Sequence, residues 1–170
     1  MNYLSQIKTD HISAIAPNWE REKIYRWWSP SQQLLKSIRK YQKWHEKTVI
    51  FAKLFCGFWV IQHRFWSIVT AADIPLNCQL GGGLVLAHPN GIVIHPKASI
   101  GLNCLIFQQV TITANVKIGN HVDIGAGAKI LHSVSIGDYA KIGANAVVLD
   151  DVPAGATAVG IPAKIIKANK

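Results

Sequence analysis

The feature that most constrains this chain is a six-residue repeat in its second half. From Ile94 to Val148 an aliphatic residue recurs at every sixth position without interruption. Four positions after each one comes a small or branched apolar residue, from Ala98 to Val152. Helices repeat every 3.6 residues and strands every two, so neither produces this pattern. A period of six is typical of short strands joined by tight turns, three of which form one coil of a stacked prism.

The repeat extends upstream to Ile74, but its register slips once on the way. Leu86 and Ile94 are eight residues apart, two more than the repeat allows. The extra residues fall within Ala87–Gly91, and a stacked coil can accommodate them only as an outward loop. Loops that a rigid scaffold holds in place often carry function. His88, in this loop, is therefore a candidate functional residue.

The first part of the chain has a different composition. Residues 1–72 contain all six Trp and one of the 13 Gly, and residues 31–70 space their apolar side chains roughly as a helix does. We expect an α-helical N-terminal region over residues 1–72 that caps the open edge of the first coil. The repeat domain is then expected at residues 73–158, followed by a C-terminal tail at residues 159–170.

The charge of the chain indicates an acidic partner. There are 18 Lys and Arg against 9 Asp and Glu, a net charge of +9. A phosphorylated cofactor or an anionic lipid surface fits this excess. Nucleic acid is not expected, because no recognised motif accompanies the charge. A basic band in the helical region either faces solvent or contacts lipid; it comprises Lys36, Arg39, Lys40, Lys43 and Lys47.

The cysteines and the apolar runs bear on location. Cys56, Cys78 and Cys104 form neither a metal-binding spacing nor a disulfide framework, which is typical of a reducing compartment. The apolar run from Leu54 to Ile61 is far shorter than the ~20 residues that a spanning helix needs. We expect a cytoplasmic protein, with attachment to the inner membrane face left open.

The hexad array, the stretch from Asp73 to Gly101 and the ending Val159–Ile166 resemble the serine acetyltransferase branch of the hexapeptide acyltransferases. The most specific feature is Asp73, which stands 15 residues before His88 in an H-x-x-G-I-V context. The resemblance implies a left-handed parallel β-helix, acetyl-CoA as acetyl donor, and a homotrimer with active sites between neighbouring subunits. It leaves open whether two trimers pair.

The resemblance also implies roles for individual residues. His88 matches the general base, which takes a proton from an acceptor hydroxyl as that oxygen attacks a thioester carbonyl. Asp73 matches the carboxylate that orients this imidazole and stabilises its protonated form. Ala126 and Ala144 match segments along the CoA molecule where small side chains leave backbone groups available, and Lys141 would meet a phosphate.

Two departures from the family concern the acceptor. Ala87 stands where serine-specific members have an Asp, and residues 111–117 lack the Gly-rich loop that ends in Arg-His-Pro. An amino acid would lose both counter-charges, so the residues favour a sugar of a cell-surface polysaccharide or its precursor; L-serine is the alternative. Ala87 is placed on the acceptor side. His95 is the weaker candidate there, because a surface position explains it as well.

Two other classes of function compete with acetyl transfer. Carbonic anhydrases of this prism fold bind zinc with three His, two of them five residues apart. Five residues after His121 stands Ala126, so this pattern is absent and no metal site is expected. The other alternative is a non-enzymatic module that binds a membrane surface through the basic, Trp-rich N-terminal region.

Overall fold

The computed structural model describes residues 16–48 and 51–167. These residues form a short 3-10 helix, Trp19–Glu22, and two α-helices, α1 (Pro30–His45) and α2 (Ala52–Thr70). Among the described residues the strands are β1 (Gln79–Leu80), β2 (Val85–Leu86), β3 (Val93–Ile94), β4 (Ser99–Ile100), β5 (Leu105–Ile106), β6 (Thr111–Ile112), β7 (Lys117–Ile118), β8 (Asp123–Ile124), β9 (Lys129–Ile130), β10 (Ser135–Ile136), β11 (Lys141–Ile142), β12 (Val147–Val148), β13 (Thr157–Val159) and β14 (Lys164–Lys167).

The strands stack in three sheets because each coil repeats after three hexads. Sheet 1 has the order β1-β4-β7-β10, sheet 2 has β2-β5-β8-β11-β13-β14, and sheet 3 has β3-β6-β9-β12. Every pair from β1 to β13 is parallel, and each strand lies on the equivalent strand of the preceding coil. The first twelve strands therefore form a parallel β-helix of about four coils, as the six-residue period predicts.

The residues predicted to point inward form the core. All ten aliphatic positions from Ile94 to Val148 are buried, and so are their ten partners from Ala98 to Val152. Cys78 and Cys104 occupy partner positions, and burial raises the pKa of the first thiol to about 12 and of the second to about 11. Both thiols stay protonated at neutral pH and act as small apolar side chains.

The C-terminal residues extend sheet 2. β14 pairs antiparallel with β13, whose own partner is β11. A strand thus lies within the segment that the sequence analysis treats as a tail, and it covers the last edge of this sheet. The division into residues 1–72, 73–158 and 159–170 stays a prediction.

An ion pair from the N-terminal region holds one side of the first coil. The guanidinium of Arg39 donates to the carbonyl oxygens of Leu80 and Gly81, the latter at 2.6 Å. Its Nη2 also lies 2.9 Å from Oε1 of Glu22, and the same carboxylate accepts a hydrogen bond from the amide of Leu84 at 3.0 Å. These backbone groups have no preceding coil to pair with, and burying them unpaired would cost free energy.

Both α-helices supply donors to another side of this edge. Nε2 of Gln42, on α1, donates to the carbonyl oxygens of Leu76 and Cys78, each at 2.9 Å. Nε2 of His63, on α2, lies 2.9 Å from the carbonyl oxygen of Ile74. The expected cap on the first coil is therefore present, and it works through specific side-chain hydrogen bonds.

The hexad register predicts opposite outcomes at two adjacent residues. Ile118 is buried in the core and Lys117 is exposed beside it. Ile118→Glu should prevent folding or lower the melting temperature sharply, because an unpaired carboxylate cannot be solvated there. Lys117→Glu should change the free energy of unfolding by less than about 0.5 kcal/mol. Thermal unfolding followed by circular dichroism measures both; similar losses at the two positions would contradict the register.

The cap predicts a large effect at Arg39. Arg39→Met should lower the free energy of unfolding by about 3 kcal/mol, because it removes the cationic partner of the largely buried Glu22 carboxylate and the donor to two carbonyls. Lys36→Met, at an exposed position of the same helix, is the matched control and should be nearly neutral. Urea unfolding gives both values, and an Arg39 variant as stable as the control would show that the cap contributes little.

Candidate functional site

The two extra residues of the repeat form a loop between β2 and β3, at the corner where sheet 2 meets sheet 3. His88 is exposed in this loop, and its imidazole has no hydrogen bond to the described residues. The backbone on either side is held, by the amide of Ala87 on the carbonyl of Ile106 (3.1 Å) and by the amide of Gly91 on the carbonyl of Ala71 (2.8 Å). A fixed backbone thus presents a free imidazole.

Asp73 reaches the same end of the prism from α2. After the helix, Ala71 adopts a left-handed conformation (φ 50°), which ends the helix and turns the chain into the first coil. The amide of Asp73 donates to the carbonyl of Ile92 at 2.8 Å, and its carbonyl accepts from the amide of Ile94 at 3.0 Å. These bonds fix the backbone of Asp73 on the first edge of sheet 3, beside Val93, the strand residue that follows the His88 loop.

The structure brings the predicted base, His88, and its predicted carboxylate, Asp73, to the same end of the prism but does not join their side chains. The chain brings Asp73 and the His88 loop together, because Asp73 bridges Val93 and Ala71 binds Gly91. Both side chains are exposed, and no hydrogen bond joins them in the part of the chain that the structure describes. The pairing of Asp73 with His88 stays a prediction.

A column of turn residues runs down the corner below the loop. The amide of Gln109 donates to the carbonyl of Asn90, that of Gly127 to Gln108, and that of Asn145 to Ala126, at 2.8 to 2.9 Å. Coils are spaced by about 4.8 Å, so Ala126 lies roughly 10 Å below the loop. The next residue of the column is Ala144. The structure thus aligns both predicted CoA-binding alanines beneath His88.

The coils approach each other closely in this column. A side chain at Gly125 would place its Cβ 2.6 Å from the amide nitrogen of Ala144, which no real contact tolerates. Gly125 therefore carries no side chain, because the backbones of the two coils nearly touch at this position. Ala126 and Ala144 have short side chains, so an elongated ligand can approach the main chain at this corner.

Sequence reasoning missed Gln108, which lies in the column between the loop and Ala126. Its Oε1 is buried and has no hydrogen-bond partner among the described residues. A buried amide oxygen without a donor is unfavourable, so this position fits a ligand that brings an N–H or O–H group. The only signal in the sequence is a polar pair, Gln108 and Gln109, at a corner that otherwise carries mostly small residues.

Lys141 lies on β11, three residues before Ala144, and is exposed. It pairs in register with Asp123 on β8. Burial raises the pKa of the Asp123 carboxyl, and the charge of Lys141 is the largest influence in the opposite direction. Lys141 therefore already has a carboxylate beside it, with which a phosphate would compete. Its predicted role stays a prediction.

The other histidines of the β-helix lie at other corners. His95 is on the far side of sheet 3 from the loop, and its Nδ1 accepts a hydrogen bond from the amide of Lys97 at 3.1 Å. His121 stacks on Tyr139 of the next coil, with ring centroids 4.7 Å apart. Within residues 16–48 and 51–167, no group of three His, Cys, Asp or Glu side chains could hold a metal ion.

Both departures from the family pattern on the acceptor side are visible in the structure. Ala87 contributes only a methyl group next to His88. β6 continues into β7 through an ordinary coil, with the amide of Thr113 on Ile130 (3.1 Å) and that of Lys117 on Val134 (3.0 Å). No loop is inserted in this described segment, so neither feature places a charge near the imidazole.

Comparisons with known proteins agree with this architecture. The family described as bacterial transferase hexapeptide (six repeats) matches residues 115–150. No curated protein matches the chain. Similarity to solved structures, in contrast, covers most of the chain.

A serine acetyltransferase solved in complex with CoA is 33% identical, with a TM-score of 0.69 over 82% of this chain and 58% of that one. Serine acetyltransferase from Neisseria gonorrhoeae, in complex with serine, is 33% identical, with a TM-score of 0.67 over 81% and 57%. The enzyme from Vibrio cholerae O1 biovar El Tor is 30% identical, with a TM-score of 0.69 over 84% and 56%.

The chain thus spans less than two thirds of the length of these structures. The matches cover 81–84% of this chain, and they confirm that the β-helix is left-handed. Together with the unbroken hexad array, this similarity supports a hexapeptide-repeat acyltransferase that is serine acetyltransferase-like.

Proposed function

We propose that this protein is an O-acetyltransferase, which transfers an acetyl group from acetyl-CoA to the hydroxyl of an acceptor. The observation that carries the proposal is the corner between sheets 2 and 3, where a free imidazole on a fixed backbone stands above a column of turn residues that includes Ala126 and Ala144. The 33% identity to a serine acetyltransferase solved with CoA supports this choice of donor.

In the proposed reaction, His88 acts as general base. Its neutral imidazole takes the proton of the acceptor hydroxyl as the oxygen attacks the thioester carbonyl carbon. The C–S bond then breaks, and the imidazolium returns the proton to the departing sulfur. The products are an acetyl ester and the free thiol of CoA, and nothing is oxidised or reduced. Asp73 orients the imidazole and stabilises its positive charge.

The corner column offers the donor a binding surface. Ala126 and Ala144 leave main-chain groups accessible, and the buried Oε1 of Gln108 needs a donor that the amide groups of the CoA arm can provide. Lys141 is near the lower end of the column, where its ammonium can meet a phosphate. We infer a homotrimer, because on one chain this corner is open to solvent and a neighbouring copy would supply the second wall of a cleft.

For the acceptor we propose a sugar of a cell-surface polysaccharide or its precursor. Burying the ammonium and carboxylate of an amino acid without partners costs several kcal/mol. Ala87 and the uninterrupted β6–β7 coil supply no charge that would offset this cost. A sugar hydroxyl carries no such penalty and needs only hydrogen bonds for its orientation.

L-Serine is the second candidate. It is favoured by the similarity to the serine acetyltransferase from Neisseria gonorrhoeae that was solved with serine. For this acceptor the missing charges would have to come from elsewhere, for instance from Arg21 or Arg26 in the N-terminal region of a neighbouring subunit. The two candidates differ in one measurable respect, the saturation of turnover with L-serine.

The proposed base is tested by replacing His88 with a polar residue that cannot accept the proton. His88→Asn should lower turnover ~10²–10⁴-fold, as is typical for the loss of a general base, while CoA binding and the melting temperature stay near wild type. His132→Asn is the matched control and should keep full activity, because His132 is exposed in the turn between β9 and β10, at a different corner of the prism. Release of the CoA thiol is the assay. Wild-type turnover in His88→Asn would remove this residue from the mechanism.

The acceptor is tested by the same assay across L-serine, nucleotide sugars and oligosaccharides. We expect little thiol release with L-serine at millimolar concentration and clear release with a saccharide. Ala87→Asp restores a carboxylate beside His88 and should increase turnover of L-serine relative to the saccharide. Efficient, saturable turnover of L-serine by the wild-type protein would instead select the second candidate.

A further inference from the structure

An apolar stripe runs along the whole outer face of α2. Its residues follow a spacing of four, three, four and three, which places them on one side of a helix. They are Leu54, Phe58, Ile61, Phe65 and Ile68. Leu54 is 73% exposed, Ile61 69% and Ile68 80%, while the opposite face of the helix packs on the rest of the protein. So large an exposed apolar face indicates a binding surface.

Cationic side chains border this stripe. Neither α1 nor α2 contains an Asp or Glu. On α2, Lys53 and Arg64 are exposed on the flank next to the stripe. Lys40 of α1 joins Lys53 in lining an apolar groove that also includes Leu54 and Ile61. The surface therefore combines an apolar strip with positive charge and without negative charge of its own.

These properties fit an anionic lipid surface better than a second copy of the chain. Paired helices commonly set Glu against Lys across their seam, and α1 and α2 of a second copy would bring only the same cations. Phe58 and Phe65 also occupy alternate turns of the stripe, and amphipathic interfacial helices combine such aromatic residues with Lys and Arg. No helix among the described residues is long and apolar enough to cross a membrane. The contact would then be with the membrane surface.

We propose that α1 and α2 dock the protein on an anionic lipid bilayer. The stripe inserts at the boundary between headgroups and acyl chains, and the flanking cations contact lipid phosphates. The proposal does not depend on the catalytic role of the corner.

The full-length chain is tested by co-flotation with vesicles of phosphatidylcholine alone or with 30% phosphatidylglycerol. We expect the protein to float with the anionic vesicles in 100 mM NaCl and to lose at least tenfold in partitioning with neutral vesicles or in 500 mM NaCl. Wild-type protein that stays in the aqueous fraction, or that binds both vesicles equally at both salt concentrations, would overturn the proposal.

Variants separate the apolar from the electrostatic part. Ile61→Asp should lower partitioning more than tenfold, whereas Ile166→Asp, at a 67% exposed position of β14, is the matched control and should not. Lys53→Gln and Arg64→Gln should each lower it roughly fivefold. Circular dichroism should show that all four variants keep the wild-type melting temperature. Equal partitioning of the two Asp variants, or a smaller assembly of Ile61→Asp in analytical ultracentrifugation without vesicle binding by the wild type, would assign the stripe to something other than lipid.

Discussion

The hydrogen bonds between the helical region and the first coil are the interaction on which the rest of the structure depends. A parallel β-helix has an open edge of backbone groups, and here Arg39, Gln42 and His63 provide the donors that its carbonyls lack. Close contact is possible because the edge contains Gly81–Gly83. A Cβ at Gly82 would lie 2.7 Å from the ring of Trp19, so the glycines make room for the cap.

The same cap positions the candidate site. His63 ties α2 to Ile74, and the helix therefore ends at a fixed place above sheet 3. The left-handed turn at Ala71 then delivers Asp73 to the edge of the sheet, where its backbone pairs beside Val93. A change that loosens the cap should therefore displace the carboxylate as well as destabilise the fold, even though no residue of the cap belongs to the site.

The three corners of the prism differ in what fills them. Between sheets 1 and 2, the turn residues Asn103, His121 and Tyr139 are large, and the two rings stack on each other. Between sheets 2 and 3, the turn residues below Gln108 are smaller and include Ala126 and Ala144. One corner is thus packed by its own side chains while the other exposes its main chain beneath the His88 loop, which explains why the chemistry is expected there.

The sequence predicted those parts of the structure that a strict period controls. Two inward residues per hexad determine the core, and two surplus residues before Ile94 locate the loop. The cap bonds of Arg39 could not be predicted, because they join residues about 40 positions apart and periodicity says nothing about them. The unpartnered Oε1 of Gln108 also escapes the sequence, since it depends on how neighbouring coils bury a side chain.

The two faces of α2 connect the stability of the prism to the proposed membrane contact. One face carries His63 and Trp66 against the protein, and the other carries the exposed stripe from Leu54 to Ile68. The helix ends next to the coil that contains the His88 loop, so a bilayer bound along α2 would lie near the candidate active site rather than at the far end of the prism. An acceptor attached to a lipid would be concentrated at that end, whereas free L-serine would gain nothing from it. Docking on a bilayer would therefore favour a sugar acceptor carried on a lipid over L-serine, on physical grounds that are independent of the residues around His88.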